Sequence, residues 1–174
     1  MKLGSIVLIS LALGVPVPAV AGEGASFIDG VWVGKGIFQM GDKVHACGEI
    51  KMRYVGSATS YQVHEAHMVC DDLGKQTFSE IDKFSVDSDG SITFVEGTAS
   101  TLKPNTKVGS VKGNTLVTLN PIDEVKIDDI KMRLDGDFLF YDQIASAPGQ
   151  TPDYALVAIM TKEKPTTAAS EPKK

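Results

Sequence analysis

The chain has 174 residues and a formal charge of −5, with 17 basic and 22 acidic side chains, two cysteines and three histidines. Acidic and basic residues are interspersed without a basic patch or stripe, which argues against nucleic acid or an anionic membrane surface as a partner. The length suits one domain with a substantial core.

Residues 1–21 have the layout of a signal peptide. Lys2 supplies the positive end, residues 3–15 an apolar run, and Ala19-Val20-Ala21 a small-x-small cleavage site after Pro16 and Pro18. The apolar run is short for a membrane span, which takes about 20 residues, and no later segment is apolar enough to cross a bilayer. An extracytoplasmic product, periplasmic or secreted, is expected. It would consist of an N-terminal arm at 22–26, a β-barrel domain at 27–162 and a disordered tail at 163–174, where no large apolar side chain occurs.

Between these ends, short alternating runs are separated by turn chemistry, the pattern of an antiparallel meander. The first run holds Gly30-Val31-Trp32-Val33-Gly34-Lys35-Gly36, whose glycines suit a bent strand approached closely by another backbone. In the second, Val44, Ala46, Ile50, Met52 and Tyr54 fall on one face, predicted inward. His45, Cys47, Glu49, Lys51 and Arg53 fall on the other, predicted outward. The third run, 61–71, is ambiguous alone because both faces mix polar and apolar residues.

Further on, Ser88-Asp89-Gly90 predicts a hairpin that pairs Phe84 with Phe94 and Val86 with Ile92. Gly113-Asn114 and Asp135-Gly136 predict two more tight turns, and 154–161 forms the most apolar, final strand. The acidic stretch 123–129 changes alternation phase at Asp128-Asp129, which predicts a β-bulge. Some ten strands with no covering helix hide their edges best by closing into a barrel.

Gly30-Val31-Trp32, at the start of the first strand, resembles the Gly-x-Trp signature of lipocalins and the wider calycin group, which place that Trp at the closed end of the barrel. Extended to Gly34 and Gly36, it also resembles the opening of the nitrobindin-like haem barrels. The fold class implied is all-β: an antiparallel up-and-down, lipocalin-like barrel of about eight to ten strands, wide enough for a small ligand. Nitrobindin-like barrels ligate haem through a histidine near the C-terminus. Here no histidine follows His67, and no cofactor is expected.

Residues 44–72 hold both cysteines and all three histidines, so a stapled hairpin competes there with a Cys/His metal site. In an oxidising compartment two cysteines pair. Placing Cys47 opposite Cys70 leaves a turn rich in Gly and Ser at 56–60 and a Cα separation that a disulfide accepts. His64 and His67 then point to opposite faces of a strand, and no metal is expected. With the cysteines outward, this register turns Glu65 and His67 into the lumen, where buried polar groups need partners or a ligand.

No nucleophile elbow, phosphate loop, dinucleotide fingerprint or CxxC occurs, so an enzyme is not expected. The leading expectation is an exported barrel that binds a small apolar or amphipathic ligand. Its lumen would be lined by Ile50, Met52, Tyr54, Val63, Phe84, Phe94, Met132, Phe138 and Phe140, with Glu65 and His67 orienting the ligand. The alternative is a protein partner: a periplasmic protein-binding barrel such as a protease inhibitor, with a filled interior and a functional N-terminal arm, or a structural envelope protein.

Overall fold

The computed structural model describes residues 24–78, 82–97 and 102–164. A single 3-10 turn (Ser26–Ile28) leads into eleven strands. These are β1 (Gly30–Met40), β2 (Lys43–Gly56), β3 (Ser60–Cys70), β4 (Gly74–Phe78), β5 (Lys83–Val86), β6 (Ser91–Glu96), β7 (Lys107–Lys112), β8 (Thr115–Pro121), β9 (Ile127–Asp135), β10 (Phe138–Ser146) and β11 (Tyr154–Lys162).

All pairings are antiparallel. β1 bonds to β2 on one side and to β11 on the other, β2 also bonds to β3, and β5 to β11 follow in sequence order. Ten strands therefore close into a barrel. β4 adds to β3 alone, pairing with its second half while β5 takes its first.

Turn chemistry places the strands as expected. Phe84 lies opposite Phe94 and Val86 opposite Ile92. Gly90, Gly113 and Gly136 each adopt a positive φ in the tight turns that join β5 to β6, β7 to β8 and β9 to β10. The glycines of β1 meet another backbone: a Cβ at Gly34 would lie 2.0 Å from the Ile159 carbonyl oxygen, and one at Gly36 2.2 Å from that of Val157. Trp32 is buried at the end of the barrel closed by the 3-10 turn, where its Nε1–H donates to the Ile28 carbonyl at 2.7 Å.

Cys47 and Cys70 are opposed and disulfide-bonded, as the spacing predicts. Their face differs from the expectation. Both are buried, on the lumen side, because Gly48 is an extra residue in β2: Cys47 pairs with Cys70 but Glu49 with Val69. The bulge reverses the alternation, so Cys47 shares the inner face with Ile50, Met52 and Tyr54, while Val44 and Ala46, expected inside, are exposed. A second shift, at His64 in β3, restores the original register by Tyr54 and Val63.

No bulge occurs at Asp128. β9 keeps one register with β8 and β10 along its whole length, and Asp128 stands on the inner face in phase with Ile130, Met132 and Leu134. The acidic loop before it is organised by Asp123, whose carboxylate accepts the Val125 and Lys126 amides at 2.8 Å each. The end of the N-terminal arm is packed: Ala25 is fully buried and its amide donates to the Ser57 carbonyl. Residues 1–21, expected to be a signal peptide, and most of the expected tail lie outside the described residues.

A cavity with a polar row at its mouth

The barrel encloses a cavity of about 390 Å³. Strand register sets its chemistry layer by layer. The row nearest the β8–β9 and β10–β11 loops reads Asn120, Asp128, Ala145, Tyr154 across β8 to β11. The next row inward reads Thr118, Ile130, Gln143, Leu156, and the one after it Leu116, Met132, Tyr141, Ala158. Polarity falls with depth, and the far wall is lined by Ile50, Met52, Val63 and Met68.

A hydrogen-bond chain joins the rows. The Tyr141 hydroxyl donates to Gln143 Oε1 at 2.8 Å, and Gln143 Nε2 donates to the two Asp128 carboxylate oxygens at 3.0 and 3.2 Å. The same Nε2 lies 3.5 Å from the Tyr154 hydroxyl. Asn120 Oδ1 is buried beside this chain with no hydrogen-bond partner among the described residues. Above the row, Lys126 of the β8–β9 loop bonds to Asp153 of the β10–β11 loop, which holds the two loops together and keeps the ammonium protonated.

All four tyrosines of the chain line this cavity. Tyr61 stacks on Phe84 at 4.7 Å between ring centres, and Phe84 meets Phe94 edge-on at 5.8 Å. The Tyr54 hydroxyl donates to Met52 Sδ at 3.2 Å. Burial pushes the hydroxyls of Tyr54, Tyr61 and Tyr141 above their ordinary range. They stay neutral, and each presents an O–H to its surroundings rather than a phenolate.

Of the residues expected to line the lumen, Ile50, Met52, Tyr54, Val63, Phe84 and Met132 do so. Phe94 is buried behind Phe84. Glu65 is exposed, because the Gly48 bulge shifts the register that was to turn it inward and the His64 bulge corrects it only beyond Glu65. His67 borders the cavity, but its Nε2 is turned to Glu49 at 2.7 Å, a bond that holds the Glu49 carboxyl below its usual range.

Phe138 and Phe140 point outward. Leu139 and Tyr141 take the lumen face, Phe138 is 49% exposed, and Phe140 lies under the Arg133 guanidinium at 4.6 Å. With apolar residues on both faces of β10, alternation carries no parity, and the register with β9 decides it. The polar row was missed for a related reason: inward positions were sought among apolar residues. Strict period two from Met132 through Ile130 would have reached Asp128.

Among the described residues, no group of three or more His, Cys, Asp or Glu side chains is placed to hold a metal ion, and no helix is long and apolar enough to cross a membrane.

The chain is thus a closed, ten-stranded antiparallel β-barrel with one added strand, an architecture compatible with the calycin group. No protein-family model matches it, and no curated protein does. Among solved structures it is similar to Rv2717c from M. tuberculosis, with 17% sequence identity and a TM-score of 0.55, over 80% of this chain and 94% of that one. At that identity the likeness concerns the fold alone.

Proposed function

We propose that this chain is an exported barrel that binds a small, largely apolar or amphipathic molecule in its lumen, and that it acts by holding that molecule rather than by transforming it. The observation that carries this reading is the cavity itself. Its volume of about 390 Å³ falls within the range of small-molecule pockets, roughly 300–1,000 Å³. Its walls combine apolar side chains with a few convergent polar ones, the mix that gives such pockets affinity and orientation. A protein-binding barrel with a filled interior would need no such space.

The buried disulfide supports an oxidising, extracytoplasmic setting for the folded domain, in keeping with the signal-peptide layout of residues 1–21. Native mass spectrometry of the purified protein, beside a denatured control, tests the reading. The expected result is a non-covalent adduct, or one-to-one uptake of a lipophilic probe by the bare protein. A bare mass together with no uptake overturns it.

A further inference from the structure

We infer that the lumen selects ligands whose polar end is a neutral or cationic hydrogen-bond donor, an alcohol or an amine on an apolar body, seated at Asn120 and Asp128, and that it rejects carboxylates. The inference rests on the reading of the lumen as a ligand site and adds the chemistry of the ligand's head.

Three observations carry it. First, no lysine or arginine among the described residues lines the cavity, whereas Asp82 and Asp128 both do. A carboxylate entering from water would lose its hydration, meet two acidic side chains and find no lysine or arginine to pair with. Lys126, at the rim, is committed to Asp153.

Second, Asn120 Oδ1 and the Asp128 carboxylate are acceptors on cross-strand partner positions of one inward row. The Asn120 oxygen is buried with no donor among the described residues. A buried acceptor without a partner is costly, and a ligand O–H or N–H placed there would satisfy it.

Third, the surrounding groups fix the sign of the site. Gln143 presents its N–H to Asp128 and its oxygen to Tyr141, so the amide is locked from both ends. It orients the Asp128 carboxyl group toward the lumen. The layers beneath turn apolar within two rows, at Ile130, Leu156 and Met132. A donor head at the mouth with an apolar body below matches both environments at once.

The test is a matched series on the folded protein: n-decanol, n-decylamine and n-decanoate, titrated calorimetrically at neutral pH into the wild type, Asp128→Asn and Asn120→Leu. In the wild type, the alcohol and the amine are expected to bind, with the carboxylate at least about tenfold weaker. Asp128→Asn should weaken the amine about tenfold and strengthen the carboxylate, and should change the alcohol by less than about threefold. Asn120→Leu should weaken alcohol and amine alike, because both lose an acceptor.

Carboxylate binding equal to or tighter than that of the alcohol overturns the head-group assignment while leaving the lumen a ligand site. Selectivity unchanged in Asp128→Asn with a native circular-dichroism spectrum also overturns it. Should one variant not fold, the wild-type series and the other variant decide the matter. If none of the three probes binds and the native mass is bare, the ligand reading itself fails, and this inference falls with it.

Discussion

Gln143 Nε2 donates to both carboxylate oxygens of Asp128, at 3.0 and 3.2 Å, from the neighbouring strand and one row deeper in the barrel. The bond ties the polar mouth to Tyr141 below, so the carboxylate is held on the lumen side rather than swung to solvent. An inward acid on a barrel strand is costly unless it is partnered. Here the fold supplies a partner in the Gln143 amide, and the buried acceptor left beside it is Asn120 Oδ1.

The close approach of β1 to β11 separates two glycines of similar appearance. A Cβ at Gly34 would sit 2.0 Å from a backbone oxygen, whereas one at Gly48 meets nothing within 4 Å. Gly34→Ala should cost about 1–3 kcal/mol or prevent folding, since backbone rather than a flexible side chain must move. Gly48→Ala should lie within about 1 kcal/mol of the wild type. Urea denaturation of the two variants checks both.

The disulfide closes a segment with a sequence separation of 23 between its cysteines. Replacing both cysteines with alanine should lower stability by about 3 kcal/mol in the chain-entropy model. The vacated volume on the lumen side adds to the loss, because both sulfurs are buried. A denaturation midpoint equal to that of the oxidised protein would contradict the staple's role.

Phe94 and Phe138 are predicted alike by sequence but stand on opposite faces. Phe94 is 2% exposed and Phe138 49%. Phe94→Ala should destabilise by about 3–5 kcal/mol and Phe138→Ala by no more than about 0.5 kcal/mol. Comparable losses would mean that β10 is in the other register.

The Asp123 carboxyl is held below its ordinary value by the Val125 and Lys126 amides that it accepts. A carboxyl with a depressed folded pKa stabilises above its unfolded value, about 3.9, and loses that contribution as pH falls through the folded one. The stability gap between the wild type and Asp123→Ala should therefore be full at pH 7 and narrow as the pH falls below the ordinary carboxyl value and through the lowered folded one. A pH series of thermal midpoints measures it.

The barrel was legible in the sequence because its determinants are local. Turn glycines with positive φ and the alternation of Ile50, Met52 and Tyr54 in β2 each follow from a few adjacent residues, and the cysteine pairing from two strands joined by one turn. What stayed hidden depends on pairing between distant strands. The extra residue at Gly48 moved the cysteines inside and Glu65 out. In β10, apolar residues on both faces concealed which of Phe140 and Tyr141 enters the lumen. At Asp128 the assumption that inward means apolar turned a site residue into an apparent bulge. The candidate site thus shifted from Glu65 and His67 to Asn120, Asp128 and Gln143, with the tyrosines around them.

The central claim is that the lumen is a space a small molecule can occupy, and a fluorescence titration tests it most directly. 1-Aminoanthracene, an apolar body carrying an amine, should bind with one-to-one stoichiometry and enhanced emission. Ala66 lines the cavity, and Ala66→Phe should abolish that signal while the circular-dichroism spectrum of the barrel is retained. No enhancement with the wild type, or an unchanged titration in the filled variant, would contradict the account.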